Sequence, residues 1–345
     1  MAGSSSRWRK AGWVAAAAVA GGLAAAAYLA LAPAGDSEPH PFNQDRNAVW
    51  LEHRWLESPH AEEELEELMA RLHGYGIQYL FPHLIPFDRD GLLPEHDREQ
   101  MRRFLAVARR VAPGMKVLPW VGGLRLGHRR TREGSIDLAD LAQRQRIVAE
   151  VRGLVDEGFH GVHVNIEPID NGNVDFLSLL LALRTAVGEE RVLSISAIRP
   201  GPVAPPMARN FLWTPGYYER IGAIADQVAV MAYDTAIPTP HLYRRYVAYT
   251  AAAASTALVR ASSRARLLVG VPTYDSTGLM HRGEVENPAN ALLGVVAGLR
   301  GLGVGGAFEG VALYAEWTTD ADEWATYEAL WRGRSSTRRS GSSRR

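Results

Sequence analysis

The sequence predicts an α/β protein, a single (β/α)8 TIM barrel that follows an N-terminal membrane segment. From Asn47 onward, short segments rich in Val, Ile, Leu and aromatic residues alternate regularly with longer segments of helical periodicity. Eight such strand–helix pairs follow one another, which is the count of a (β/α)8 barrel. An open, doubly wound sheet is the alternative, but eight equivalent units favour a closed barrel.

The predicted elements are short apolar strands separated by helices. The strands are, in order, Ala48–Trp55, Ile77–Leu84, Lys116–Val121, Gly161–Glu167, Val192–Ile198, Gln227–Tyr233, Leu267–Tyr274 and Gly310–Tyr314. The helices are Ala61–Tyr75, Glu95–Val111, Leu138–Glu157, Val174–Val187, Pro215–Ala225, His241–Ala261, Pro288–Leu302 and Asp320–Trp331. Glutamates at positions 62, 63, 64, 66 and 67 open the first helix, where negative charge is favourable because it faces the positive end of the helix dipole.

The composition argues against nucleic acid as a partner and excludes any site built from cysteine. The chain has 345 residues, of which 47% are hydrophobic, enough for a sizeable core. Lys plus Arg and Asp plus Glu both total 38, so no overall field favours nucleic acid as a partner. Cysteine is absent, which excludes disulfides and thiolate metal sites.

The two ends of the chain differ from the barrel in composition. Residues 1–10 carry Arg7, Arg9 and Lys10 and predict a cytoplasmic n-region, and the uncharged residues 11–35 predict a transmembrane anchor or a signal peptide. Both alternatives place the remaining chain in the cell envelope outside the cytoplasm, either membrane-anchored or secreted. Residues 36–46 predict a linker, 47–331 the barrel domain, and 332–345 a disordered Arg/Ser tail.

The fourth predicted strand carries the most informative motif. The sequence of Gly158–Pro168 is GFHGVHVNIEP, in which apolar and polar residues alternate. Because residues two apart in a strand share a face, His163, Asn165 and Glu167 project together. An acid beside an amide at the end of a strand is suited to cleaving a carbohydrate.

Other polar and aromatic residues follow the predicted strands at the same end of the barrel. In barrels of this type, active sites lie at the carboxyl ends of the strands. Aromatic rings stack on the apolar faces of sugars, and polar groups bond their hydroxyls, so these residues predict a carbohydrate site. The candidates, besides His163, Asn165 and Glu167, are Glu52, Trp120, Tyr233, Asp234, Tyr274, Tyr314 and Trp317, with Glu316 as a further acid near the mouth.

Several of these segments resemble glycoside hydrolase family 18, the chitinase-like barrels. The fourth strand resembles the family signature DGxDxDxE, with Glu167 on its final glutamate, and residues 231–234, Met-Ala-Tyr-Asp, match the family motif MxYD. Gly122-Gly123, the segment 270–274 and the segment 310–320 are also similar, although Tyr314 stands where the family usually has tryptophan. The resemblance covers about Ala48 to Trp331.

The resemblance implies a retaining, substrate-assisted glycosidase acting on β-linked N-acetylglucosamine-containing glycans such as chitin or peptidoglycan. Glu167 would be the general acid and base, and Asn165 would orient the N-acetyl group whose oxygen attacks the anomeric carbon. Tyr233 and Asp234 would contact the N-acetyl group and sugar hydroxyls. The pair Asn165-Ile166-Glu167 is also similar to the Asn-x-Glu pair of family 85 endo-β-N-acetylglucosaminidases.

The chain departs from the family signature at His160, His163 and Asn165, where the family has aspartates. A positive charge on His163 would lower the pKa of Glu167, whereas a general acid needs a raised pKa, so a neutral His163 is the state compatible with catalysis. The expected partner is a polysaccharide or oligosaccharide, with the membrane as a second partner through residues 11–35 and without nucleic acid. The sequence does not indicate an oligomeric state.

Four alternatives remain open at this point. The departures from the signature are compatible with a catalytically inactive, lectin-type barrel, or with a purely structural one. A metal site built from His53, His83 and His163 is disfavoured because His-x-His on the first strand and HExxH are both absent, so neither a metal nor another cofactor is expected. A two-carboxylate retaining mechanism would need a second acid about 5 Å from Glu167, for which Asp275 is the candidate.

Overall fold

The computed structural model of the protein describes residues 40–125, 136–205, 208–261, 264–302 and 306–334. Within these residues one parallel sheet contains nine strands. The strands are β1 (Asn47–Leu51), β2 (Ile77–Pro82), β3 (Lys116–Val117), β4 (Trp120–Leu124), β5 (Gly161–Glu167), β6 (Val192–Ala197), β7 (Gln227–Val230), β8 (Arg266–Pro272) and β9 (Phe308–Tyr314). The helices are α1 (Arg54–Glu57), α2 (Glu62–Gly74), α3 (Arg98–Val111), α4 (Leu141–Asp156), α5 (Val174–Val187), α6 (Pro215–Gly222), α7 (Pro240–Arg260), α8 (Pro288–Arg300) and α9 (Ala321–Leu330).

The sheet curls so that its two ends approach each other. The strand order is β3-β2-β1-β9-β8-β7-β6-β5-β4, and only Leu118 and Pro119 separate β3 from β4 along the chain. The amide of Leu84, just after β2, donates to the carbonyl of Trp120, and the amide of His163 in β5 donates to the carbonyl of Pro119. This stretch is therefore bonded to neighbours on both sides, and the architecture is consistent with a TIM-like barrel.

Side chains from alternate strand positions form two apolar layers. The layer enclosed by the sheet is Ala48, Trp50, Tyr79, Phe81, Leu118, Ala229, Leu268, Ala312 and Ala315. The larger layer lies between the sheet and the helices and includes Val162, Val164 and Ile166 of β5. Strands buried on both faces explain why the sequence shows continuous apolar segments rather than a strict alternation at most positions.

Helix starts coincide with polar capping residues that satisfy free backbone amides. The side chain of Asp140 accepts from the amides of Ala142 and Gln143 at the start of α4. Asp320 and Glu323 form a complete capping box at the start of α9. Local chemistry therefore defines where these helices begin.

The structure corrects the predicted ends of three strands. The first strand stops at Leu51 rather than Trp55, because residues 54–57 turn into the short helix α1, whose Trp55 is buried outside the sheet. The third strand is divided at Pro119, which has no amide hydrogen to donate, and it continues to Leu124 rather than stopping at Val121. The sixth strand ends at Val230, three residues before Tyr233.

The predicted linker and tail partly belong to the folded domain. His40 Nε2 donates a hydrogen bond to the carbonyl of Leu330 at 3.1 Å, and Phe42 packs against the core. Arg332, predicted to begin the disordered tail, is only 4% exposed and pairs with Asp45 and Glu328. At these positions the predicted linker and the predicted tail have partners in the barrel domain, and their boundaries stay predictions.

The remaining terminal predictions lie outside the described residues. These are the n-region 1–10, the anchor or signal peptide 11–35, and positions 335–345 of the tail. Among the helices of the described ranges, none combines the length and apolar character that crossing a membrane requires.

Candidate active site

The predicted pair Asn165 and Glu167 lies on the last residues of β5. Their side chains face the inside of the sheet, since the intervening Val164 and Ile166 belong to the outer apolar layer. Asn165 is in register with Gly122 of β4, where an added Cβ would lie 1.7 Å from the carbonyl oxygen of Asn165. Gly122 therefore permits the close approach of β4 that positions the pair.

Glu167 has the electrostatic character of a general acid. Its burial raises the pKa of its carboxyl group, and the negative charge of Asp234 adds to this rise. The side-chain amide of Asn165 donates to the carboxyl group and partly opposes the rise. The net result is a carboxyl that holds its proton to a higher pH than usual.

Asn165 has one oxygen free for a ligand. Its Oδ1 is buried and has no hydrogen-bond partner within the part of the chain that the structure describes. A buried acceptor without a donor is unfavourable by about 1–3 kcal/mol. An incoming N–H group would satisfy it.

His163 lies below this pair and cannot contact a substrate, because its side chain is completely buried. Its Nδ1 is 2.8 Å from Ser194 Oγ, and its Nε2 is 2.9 Å from Ser196 Oγ and accepts from the indole of Trp50 at 3.3 Å. The prediction of His163 as a substrate-binding residue is therefore wrong. Burial lowers the pKa of His163 to about 3, so the ring is neutral, as the expected chemistry requires.

A polar chain continues from His163 through the inside of the sheet. Ser194 donates to Gln227, and Gln227 donates to Glu309, which also accepts from Tyr79 at 2.9 Å. Glu309 lies 3.6 Å from the guanidinium of Arg46. The residues of this polar chain therefore have partners among themselves, and their role is structural.

His160 is placed away from the pair. It precedes the first residue of β5, and its Nδ1 accepts from the amide of Val117 at 3.1 Å. Of the three departures from the family signature, only Asn165 therefore belongs to the candidate site.

The predicted aromatic residues form a wall around Tyr314. The ring of Tyr233 stacks on that of Tyr314 at 5.2 Å and 19°. Tyr274, Trp317 and Trp120 approach the same ring edge-on at 5.9, 5.7 and 6.3 Å. The negative charge of Glu167 contributes to raising the pKa of both Tyr233 and Tyr314, although burial is the largest cause, which places Glu167 beside this wall.

Trp317 and Tyr233 occupy opposite extremes of this wall. Trp317 is 41% exposed, so its ring is available to a sugar, whereas Tyr233 is 6% exposed. Gly270 lets the Tyr233 ring lie against β8, since a Cβ there would be 2.9 Å from Tyr233 Cε1. The aromatic wall therefore extends from the buried ring of Tyr233 to the exposed ring of Trp317.

Asp234 follows β7 and lies at the edge of the wall. Its Oδ1 accepts from the hydroxyl of Tyr274 at 2.7 Å, and its backbone carbonyl accepts from Arg199 at 3.0 Å. Its φ of 54° is in the left-handed region, which asparagine and aspartate tolerate better than most residues. The side chain is half exposed and can receive sugar hydroxyls.

The two further acids are placed differently. Glu316 is buried and accepts from the indole of Trp55 at 3.3 Å and from Arg71 at 2.5 Å, so it joins α1 and α2 to the sheet rather than lining the site. Glu52 lies after β1 and pairs with Arg54 at 3.1 Å. Its predicted role in substrate binding stays a prediction.

The histidines of the metal alternative do not converge. The rings of His53 and His83 are 6.5 Å apart, whereas both nitrogens of His163 are occupied by Ser194, Ser196 and Trp50. His83 instead packs on Trp120 at 4.0 Å, and burial and the neighbouring His53 lower the pKa of His83 to about 4.

Asp234 is surrounded by three residues that were not predicted from the sequence: Arg199, His281 and Glu286. Arg199 comes directly after the predicted fifth strand, Val192–Ile198, where site residues of such barrels lie. His281 and Glu286 lie in the long segment between β8 and α8, and His281 Nδ1 is 3.5 Å from Asp234 Oδ1. The position of Arg199 after a strand was a usable signal, whereas loop residues carry no comparable one.

Comparisons with known proteins agree with this fold. The family described as "Glycosyl hydrolases family 18" matches residues 72–337. The spore cortex-lytic enzyme SleL of Bacillus cereus has 12% identity and a TM-score of 0.57, over 83% of this chain and 74% of that chain. A chitinase of Chromobacterium violaceum has 14% identity and a TM-score of 0.52, over 82% of this chain and 98% of that chain.

SleL of Bacillus megaterium is similar in fold as well, with 12% identity and a TM-score of 0.55 over 85% of this chain and 75% of that chain. Comparison with curated protein sequences gave no match. The fold and the site define a barrel glycosidase, and because the family match spans most of the chain, the protein belongs to glycoside hydrolase family 18. The similarity of the Asn-x-Glu pair to family 85 stays a prediction.

Proposed function

We propose that the protein is an exported glycosidase that cleaves β-linked N-acetylglucosamine-containing glycans with retention, by a substrate-assisted mechanism. The observation that carries this proposal is the buried, unpaired Oδ1 of Asn165 beside a carboxyl group whose pKa is raised. The N–H of an acetamido group is a donor that would satisfy that oxygen. The raised pKa of Glu167 keeps a proton available for the leaving group.

The first step breaks the glycosidic bond. Glu167 transfers its proton to the glycosidic oxygen, while the carbonyl oxygen of the substrate's own N-acetyl group attacks the anomeric carbon. Asn165 Oδ1 accepts from the acetamido N–H and so orients the carbonyl oxygen toward that carbon. The bond to the leaving sugar breaks with both electrons on its oxygen, and a cyclic oxazolinium ion remains.

The second step restores the acid. The ionised Glu167 removes a proton from water, and the resulting hydroxide attacks the anomeric carbon and opens the oxazolinium ring. Two displacements at one carbon give net retention. Tyr233 and Asp234 are the candidates for binding the N-acetyl group and hydroxyls, and Tyr314, Trp317, Trp120 and Tyr274 form the aromatic surface for the sugar rings.

The decisive experiment compares the full chain with two variants on chitooligosaccharides and peptidoglycan fragments, with products identified by mass spectrometry. Glu167→Gln removes the proton and is expected to lower kcat by about 10²–10⁴-fold. Asp275→Asn is the matched control, since Asp275 is exposed and has no role in the mechanism. Loss of turnover in Asp275→Asn would instead favour the two-carboxylate mechanism.

The substrate itself tests the role of the acetamido group. An oligosaccharide carrying a free amine in place of the N-acetyl group at the cleaved unit lacks the attacking oxygen, so we expect no cleavage of it. Equal cleavage of both substrates would refute substrate assistance. Tight binding of glycan by both parent and Glu167→Gln, with cleavage by neither, would establish the lectin-type alternative.

We further propose that the barrel acts outside the cytoplasm. This rests on the positively charged and apolar pattern of residues 1–35. Relatives named as spore cortex-lytic enzymes and chitinases are consistent with a substrate in the cell wall or outside the cell. A reporter enzyme that is active only after export, fused after residue 46, would be inactive if this proposal is wrong.

A further inference from the structure

A cluster of three possible metal ligands lies beside the glycosidase site. Asp234 follows β7, and His281 and Glu286 belong to the segment between β8 and α8. One oxygen or nitrogen atom of each side chain lies within 4.8 Å of the others. Of the three residues, only Asp234 belongs to a motif that resembles the family, the segment 231–234.

The distances within the cluster fit a tetrahedral ion. His281 Nδ1 is 3.3 Å from Glu286 Oε2 and 3.5 Å from Asp234 Oδ1. Ligands bound to zinc at about 2.0–2.1 Å are separated by about 3.3–3.4 Å along a tetrahedral edge. The two pairs therefore have the spacing of atoms that share one ion.

Two buried atoms of the cluster lack hydrogen-bond partners, which is a second and independent observation. His281 is 4% exposed and Glu286 is fully buried. His281 Nδ1 and Glu286 Oε2 have no hydrogen bond to any described residue, although both point into the cluster. Because buried polar atoms without a hydrogen bond are unfavourable, an ion between the two atoms would stabilise both.

The surrounding bonds prepare these atoms to coordinate. His281 Nε2 lies 3.0 Å from the carbonyl of Tyr274, which fixes its proton there and leaves a lone pair on Nδ1. The other oxygen of Glu286, Oε1, accepts from the amide and hydroxyl of Thr235 at 3.0 and 2.7 Å. The Tyr274 ring stacks on His281 at 4.0 Å, so the imidazole is held on its face as well as at its edge.

We propose that Asp234, His281 and Glu286 bind one divalent cation of the zinc class, with the fourth position open to water. An imidazole with two carboxylates favours zinc over magnesium or calcium, which prefer oxygen ligands alone. The two carboxylates balance the double positive charge of the ion. Asp234 would coordinate through Oδ1 and keep Oδ2 for a sugar hydroxyl, so the ion holds that side chain in place. The site does not depend on the glycosidase proposal.

Calorimetric titration of the EDTA-treated full chain with Zn²⁺ tests the site. We expect one ion per chain, and we expect His281→Gln and Glu286→Gln each to weaken binding by at least about tenfold. His73→Gln is the matched control, since His73 is exposed on α2 and should bind as the parent does. If the parent binds Zn²⁺ no more tightly than both ligand variants do, the proposal is overturned. His281 would then form an ion pair with the two carboxylates instead of binding an ion.

Diffraction gives a second test that does not require a variant. Crystals of the parent soaked in Zn²⁺ and measured above and below the zinc absorption edge are expected to show an anomalous peak among the three side chains. If either variant fails to fold by circular dichroism, this measurement alone decides. A map without a peak at the cluster overturns the proposal.

Discussion

Burial and one neighbouring charge give the carboxyl group of Glu167 the raised pKa that the proposed acid catalysis needs. The rise in its pKa comes first from burial and then from Asp234, while Asn165 opposes it. Tyr233 and Tyr314 are the other titratable groups that face it, and both stay protonated because their pKa values are raised. The protonation of Glu167 should therefore control the alkaline side of the pH profile.

Activity is expected to fall as the pH rises through the pKa of Glu167, because only the protonated form is an acid. Asp234→Asn removes the neighbouring negative charge, lowers the pKa of Glu167 and should move the alkaline limb of kcat/KM to lower pH, beyond any loss in the maximum. The measurement is a pH–rate profile on a soluble oligosaccharide. Asp275→Asn, whose charge does not act on Glu167, should leave the limb in place. An unchanged limb in Asp234→Asn would contradict this account.

His163 makes the stability of the fold depend on pH in a predictable direction. Its pKa is about 3 in the folded protein and 6.5 in the reference state, so the unfolded chain binds the proton first. The contribution of the neutral ring is complete above pH 6.5 and is lost as the pH falls toward 3, on the order of 1 kcal/mol per pH unit. Other groups titrate in the same range, so the comparison with a variant is what isolates His163.

His163→Gln keeps polar contacts to Ser194 and Ser196 but cannot be protonated. We expect a shallower loss of the free energy of unfolding between pH 6.5 and 4 than in the parent, measured by urea denaturation at several pH values. Parallel curves for parent and variant would show that His163 is not titrating in this range.

At the scale of elements, the close pairing of β4 with β5 positions the proposed catalytic pair, Asn165 and Glu167. Gly122→Ala would place a Cβ 1.7 Å from the carbonyl oxygen of Asn165, so the two strands must separate. We expect a loss of about 1–3 kcal/mol or more in the free energy of unfolding, together with lower kcat, because Asn165 is displaced. Chemical denaturation and steady-state kinetics on the same preparation measure both effects.

Gly153→Ala is the matched control for this change. Gly153 lies inside α4 with nothing within 4 Å of an added Cβ, and alanine there should stabilise the protein by about 0.5–1 kcal/mol with unchanged kcat. If Gly122→Ala behaved like Gly153→Ala, the strand contact would not be what positions Asn165.

At the scale of the whole molecule, the two ends of the domain meet below the sheet. The indole of Trp331 donates to Asn47 Oδ1 at 2.9 Å, and its ring lies against those of His40 and Phe308. Asn47 Oδ1 also accepts from the amide of Val311, which links the first and last strands to the C-terminal residues. This contact joins the first strand of the chain, β1, to the last, β9, its neighbour in the sheet.

Substitutions at two tryptophans, Trp331 and Trp317, distinguish a contribution to stability from a contribution to glycan binding. Trp331→Ala is expected to lower the free energy of unfolding by about 3–5 kcal/mol, since the ring is fully buried. Trp317→Ala removes a ring that is 41% exposed and should change stability little while weakening oligosaccharide binding by about 0.5–1.5 kcal/mol. Thermal melts and glycan titrations would contradict the assignment if the two variants exchanged these effects.

The order and type of the elements could be read from the chain because each depends on neighbouring residues. Alternation in β5 assigned Asn165 and Glu167 to one face, and the structure confirms that Val162, Val164 and Ile166 face the other way. The family resemblance carried by β5 and by Met231–Asp234 is confirmed as well. The ends of strands were harder to predict, because an apolar residue fits a buried strand and a buried helix equally well. Trp55 was predicted to end the first strand but lies in the short helix α1.

Roles that depend on distant residues were decided only by tertiary structure. His163 shares a face with Glu167, yet Ser194 and Ser196 of the neighbouring strand enclose it and leave it no solvent contact. Glu316 follows a strand like Glu167, yet Arg71 and Trp55 hold it outside the site. Periodicity specifies the side of a strand on which a residue lies, but depth, charge and partners arise only when strands far apart in sequence come together, as Asp234, His281 and Glu286 do.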